Sequence, residues 1–84
     1  MDAARIEARL RAFIRDDLTV EDVPEDPDAA LVSSGVIDSV DLVRIATHLE
    51  RELGIEIPDA EIRPERLDSI AKIVALAVAR LGDQ

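Results

Sequence analysis

Asp38-Ser39-Val40 lies between an apolar turn, Gly35-Val36-Ile37, and a strongly periodic helical stretch, so one serine hydroxyl stands at the mouth of a helix. A helix start exposes unpaired backbone N–H groups and a partial positive charge, which favours a phosphodiester attached to a serine at that point. Asp and Ser are also among the commonest helix caps, so the dipeptide alone fits a purely structural role. The chain contains its own control, because Asp68-Ser69-Ile70 repeats the pattern of acid, serine and β-branched apolar residue before the last helical stretch. That second copy has too little chain after it for further helices to complete a site. Ser33 and Ser34 precede the helix by a turn or more and are lesser candidates for modification.

Other chemistry is poorly supplied. His48 is the single histidine; nine residues along a helix put it about 13.5 Å and half a rotation from Ser39, so it cannot act as that serine's base. A solvent or partner contact is the expected role. Asp41, Glu50, Glu52 and Glu56 do not converge with the geometry a dedicated metal site needs, and no metal is expected. Without a base or an oxyanion constellation, an independent hydrolase is disfavoured, and the chain reads as a protein that is not an enzyme.

The elements that must position Ser39 follow from hydrophobic spacing. A first helix is expected from about Ala3 to Asp16, capped by Asp2, with Ile6, Leu10, Phe13 and Ile14 on its buried stripe and Arg5, Arg9 and Arg11 facing water. A long connection from about Asp17 to Ile37 follows, marked by Pro24 and Pro27 and an acidic stretch from Glu21 to Asp28. Leu31, Val32, Val36 and Ile37 are expected to pin it to the core, with Ser33-Ser34-Gly35 as a turn. The second helix should span Ser39 to Leu53 and end at Gly54. Leu42, Ile45, Ala46, Leu49 and Leu53 form its inner face, and Asp41, Arg44, His48, Arg51 and Glu52 project outward, with Val40, Val43 and Thr47 on the flank. A short helical segment near Ala60 to Arg63, interrupted near Pro64, is anchored by Ile62 and Leu67. The last helix, capped by Asp68 or Ser69, buries Ile70, Ile73, Val74, Ala77, Val78 and Leu81.

The fold class is therefore all-α, a small bundle of three longer helices and one short one, with residues 1–84 forming one domain. A chain of 84 residues buries only about 60–65% of the surface its unfolded form exposes, so the core must be compact and a large enclosed active site is unexpected. There is no Cys, so any thiol chemistry needs an imported thiol. A net charge of −9 disfavours nucleic acid and anionic membranes as partners and favours basic protein surfaces. No apolar run approaches the roughly 20 residues of a membrane span, so no membrane insertion is expected and the cytoplasm is the expected location. A monomer is expected.

From Asp38 onward, Asp-Ser-Val-Asp, the amphipathic run ending Leu49-Glu50-Arg51-Glu52-Leu53-Gly54, and Ile55-Glu56-Ile57-Pro58-Asp59 resemble the core of an acyl or peptidyl carrier protein. The resemblance extends over essentially the whole chain and is most specific between Asp38 and Asp59. It implies that Ser39 carries phosphopantetheine, installed from coenzyme A by a phosphopantetheinyl transferase, with Asp38 helping to position the transferase's magnesium and the serine. The arm's thiol then holds acyl or aminoacyl cargo as a thioester. It further implies a partner surface of Val40, Asp41, Arg44, His48, Arg51 and Glu52, serving a loading ligase or acyltransferase and downstream condensing or transfer enzymes. A cargo groove between the second and third helices is implied at Val43, Thr47, Ile57, Ile62 and Leu67.

Two departures sharpen the expectation. Ile37 in Gly-Val-Ile-Asp-Ser is similar to D-alanyl carrier proteins and other free-standing carriers rather than to housekeeping fatty-acid carriers. Arg44 and Arg51 interrupt a helix face that is usually acidic in fatty-acid carriers. Both point to a specialised polyketide, nonribosomal peptide or aminoacyl-transfer pathway. The alternative from another class is an acidic helical adaptor that binds a basic partner without a prosthetic group.

Overall fold

The computed structural model describes residues 2–82. Among the described residues four α-helices occur in the order α1 (Ala3–Asp16), α2 (Ser39–Leu53), α3 (Pro64–Leu67) and α4 (Ile70–Gly82), with one 3₁₀ turn at Asp59–Glu61 before α3. Among the described residues there is no strand. The expected bounds of α1 and α2 are met. Asp2 caps α1 by accepting from the Arg5 N–H at 2.9 Å, and α2 ends at Gly54 with φ 65°, a left-handed conformation that glycine adopts without a Cβ penalty.

The core is aliphatic. Ile6, Leu10 and Ile14 of α1 meet Leu42, Ile45, Ala46 and Leu49 of α2 and Ile70, Ile73, Val74 and Ala77 of α4, closed by Leu31, Ile37, Ile55, Ile57 and Leu67. The radius of gyration is 11.5 Å, close to the ~12 Å expected for a folded chain of this length. The long connection is therefore packed against the bundle.

That connection is held along its middle. Arg11 donates to the carbonyls of Pro24 at 2.6 Å and Glu25 at 2.9 Å and is only partly exposed, which corrects the expectation that it faces water. Further on, the Ala71 N–H of α4 donates to the Pro27 carbonyl at 2.8 Å. The turn through Ser33-Ser34-Gly35 forms as expected, the Gly35 N–H donating to the Val32 carbonyl at 3.0 Å. Leu31 and Ile37 are buried and Val32 and Val36 half-buried.

Two details of the second half differ from expectation, and a third was not anticipated. The segment after Pro58 divides into a 3₁₀ turn and a separate helical turn, and Pro64 opens that second turn instead of interrupting the first. Proline suits a first helical position, where its missing N–H is not needed. Val78, expected to be buried, is 42% exposed and borders an open recess with Ala3, Glu7 and Pro27. Arg80 of α4 pairs with Glu61 of the 3₁₀ turn, a tie between distant segments that spacing rules do not reveal.

Candidate functional site

At the entrance of α2, Asp38 is the cap. Its carboxylate accepts from the Asp41 N–H at 2.8 Å, and the Asp41 carboxylate accepts in return from the Asp38 N–H at 3.1 Å. This reciprocal capping box, together with the Leu42 N–H donating to the Asp38 carbonyl at 3.2 Å, uses two of the four N–H groups of the first turn. Those of Ser39 and Val40 are left to solvent or to a ligand. Ser39 is the first helical residue and is exposed. It borders an open recess with Gly35, Val36, Ile37, Asp41 and Pro64, so nothing crowds its hydroxyl.

The other serines are committed elsewhere. The Ser33 hydroxyl donates to Asp68 at 2.6 Å and the Ser34 hydroxyl to the Ala30 carbonyl at 2.6 Å. Ser69 is 5% exposed and its oxygen accepts from the Lys72 N–H at 3.1 Å, which decides that Ser69, not Asp68, caps α4. Asp68 instead gathers the loop. Its carboxylate accepts from the N–H groups of Leu31, Val32 and Ser33 at 3.1, 2.6 and 3.1 Å, and its carbonyl accepts from Leu31 at 2.9 Å. The Ser33 hydroxyl, aided by these three N–H groups, holds the Asp68 carboxyl below its ordinary range against a partial opposing effect of burial. Sequence reasoning missed this hub, which joins residues 35 to 37 positions apart. It fixes the loop immediately upstream of the α2 entrance.

The expected partner residues fall on the outward side of α2. Val40 is 63% exposed, and Arg44, Arg51 and Glu52 are exposed. Glu52 is engaged by Arg9 at 3.2 Å, and Asp41 is half-buried in the capping box. His48 is half-buried and stacks on Phe13, with ring centroids 4.1 Å apart and planes at 19°, so its first role is to pack α1 against α2. The residues expected to line a cargo groove differ in burial. Ile57 and Leu67 are buried in the core and Ile62 is half-buried, whereas Val43 and Thr47 line a recess facing the end of α1. The reason is that α2 turns its Leu42, Ile45 and Leu49 side inward, which carries Val43 and Thr47 outward.

No cluster of three or more His, Cys, Asp or Glu among the described residues is arranged to hold a metal. Glu50, one of the acids considered, instead accepts from the Ile57 N–H at 3.1 Å and fixes the segment leaving α2. No described helix is long and apolar enough to cross a membrane.

A small helical bundle whose ordered loop leads into an open helix entrance has the build of a carrier domain. The family model described as a phosphopantetheine attachment site matches residues 8–77. D-alanyl carrier protein 1 of Lactiplantibacillus plantarum is 42% identical over 59 residues, covering 70% of this chain and 74% of that protein. D-alanyl carrier protein 2 of the same organism is 42% identical over 62 residues, covering 74% and 78%. An acyl carrier protein of Akkermansia muciniphila is 37% identical over 70 residues, covering 83% and 85%. The chain belongs to the phosphopantetheine-attachment family. It is a carrier protein rather than an enzyme, and its prosthetic group is covalently attached phosphopantetheine. This replaces the alternative of an adaptor without a prosthetic group.

Proposed function

We propose that residues 1–84 act as one carrier domain whose phosphopantetheine is joined to Ser39, and that it moves acyl or aminoacyl thioesters through a specialised pathway, with aminoacyl transfer of the D-alanyl carrier kind as the leading case. The observation that supports Ser39 is the division of labour at the α2 entrance: Asp38 takes the cap, and the adjacent hydroxyl is exposed. The two uncommitted N–H groups and the positive end of α2 suit a phosphodiester there, an effect worth about 0.3–1 kcal/mol at an exposed site. When bound, the arm supplies a terminal thiol, which this cysteine-free chain lacks.

The chain's own residues have distinct tasks in this reading. Asp38 spends one oxygen on the Asp41 N–H, and a carboxylate has acceptor capacity beyond that, available to the transferase's magnesium while Ser39 is presented. The outward side of α2, with Val40, Arg44 and Arg51, meets the transferase, the loading ligase or acyltransferase, and the downstream condensing or transfer enzymes in turn. Aminoacyl cargo is favoured by the two D-alanyl carrier relatives and by Ile37 before Asp38. The cytoplasm, where coenzyme A is available, is the proposed setting.

Intact mass after incubation with coenzyme A and a broad-specificity transferase tests the attachment. One arm per chain is expected in the native protein and in Ser69→Ala, and none in Ser39→Ala. An unchanged native mass, or a gain that survives Ser39→Ala, rejects Ser39. Loading of the arm with D-alanine by an adenylating ligase tests the pathway class; loading with fatty acid alone rejects it.

A further inference from the structure

On the exposed side of α2, Ser39, Val43, Thr47 and Arg51 form one row at i, i+4 spacing, and Val40, Arg44 and His48 form the row beside it. Below Ser39 these rows open into a recess of about 390 Å³ whose opposite wall is Phe13 and Leu18 of the α1 end. Val43, the α2 lining residue nearest Ser39, is 51% exposed. Arg44 and Arg51 are exposed and, like Arg5, Arg63, Arg66 and Lys72, form no ion pair among the described residues. Asp17 is the one carboxylate in the lining. Across the Phe13–His48 stack the neighbouring recess is acidic, with Asp16, Asp17 and Glu52, and its Arg9 is already paired to Glu52. The stack thus divides the surface into a cationic, apolar half that leads to Ser39 and an acidic half that leads away.

We propose that the cationic half docks an acidic, apolar helical segment of a partner enzyme, with two carboxylates on Arg44 and Arg51 and an apolar side chain between them against Thr47 and the Phe13–His48 stack. Seven residues separate the arginines, two helical turns or about 10.5 Å, which matches carboxylates at i and i+7 of a partner helix. The net charge of −9 opposes an acidic partner at long range. At physiological salt, however, the Debye length is about 8 Å, so charge-assisted bonds made at contact, where the guanidinium fork fits a carboxylate, decide the outcome. Val43 is one turn from Ser39, so a partner seated there reaches the α2 entrance; in this respect the inference rests on Ser39 bearing the arm.

The test is an NMR titration of the arm-bearing protein with a synthetic helical peptide carrying Glu at i and i+7 and Leu at i+3. Amide shifts are expected at Val43, Arg44, Thr47 and Arg51. Affinity should fall at least ten-fold in the Arg44→Glu/Arg51→Glu double variant, and that variant should instead bind the peptide with Lys in place of both Glu residues. Shifts centred on other elements, equal affinity of the native protein for both peptides, or the same shifts produced by glutarate at equal concentration, as a small-carboxylate site requires, overturn the proposal. Intact mass of the same samples reads Ser39 separately: an arm without peptide binding rejects the docking surface alone, and peptide binding by protein that never acquires an arm rejects the attachment reading alone.

Discussion

Asp38-Ser39 and Asp68-Ser69 share residue types and each is followed by a long helix, yet they use their side chains in opposite ways. At α2 the aspartate caps and the serine is exposed; at α4 the serine caps and is buried, and the aspartate turns back to bind the loop. The difference lies in the apolar ladders. Counted from the serine, α2 buries positions +3, +6, +7 and +10, whereas α4 buries +1, +4, +5 and +8. An offset of two residues is a rotation of about 200°. It turns the residue after the serine from outward, Val40 at 63% exposed, to inward, Ile70 at 1%. A dipeptide is thus read by the phase of the helix that follows it.

Arm loading gives the largest expected contrast between the pairs. Ser39→Ala should abolish it and Ser69→Ala should leave one arm per chain by intact mass; loading at both serines would erase the distinction. Next in size is the cost of removing each aspartate. Asp68→Ala strips four hydrogen bonds from the loop and should lower unfolding stability by about 2–3 kcal/mol, against about 1 kcal/mol for the cap lost in Asp38→Ala, both read from urea midpoints. Equal costs would break the claim that Asp68 is a hub and Asp38 only a cap.

Acid sharpens the same contrast. Because the folded Asp68 carboxyl lies below its ordinary value of 3.8, the folded state binds its proton less readily than the unfolded chain does. Its contribution is fully present above that ordinary value and disappears as pH falls through the folded one. Denaturation curves collected below about pH 5 should therefore show a steeper loss of stability in the native protein than in Asp68→Asn; parallel curves would show that the loop does not depend on this charge. The smallest pair of effects concerns the serines as structural residues. Ser69→Ala should cost about 1 kcal/mol as a lost cap, and Ser39→Ala should stay within about ±0.5 kcal/mol as an exposed change.

Much of the bundle was legible before any coordinates. Asp2, the 14-residue stripe of α1, the capping position of Asp38 and the glycine stop of α2 all depend on interactions within a turn or two, which spacing expresses directly. Most of the α2 and α4 ladders was legible too, and in the structure their phase sets Ser39 outward and Ser69 inward. Pro64 was misread as an interruption because proline favours both the end of one helical segment and the first position of another, and only the packing of Leu67 selects the second.

The sequence by itself determined the three longer helices, most of their inner faces, and one serine at the entrance of the second, because a helix hydrogen-bonds to itself and its side chains repeat every 3.6 residues. Tertiary structure alone decided that Asp68 grips Leu31, Val32 and Ser33, that Arg11 holds the Pro24 and Glu25 carbonyls, and that His48 lies on Phe13. Those pairings join positions far apart in the chain, where loop N–H groups must find acceptors once water is excluded, and no local periodicity encodes which acceptor lies within reach.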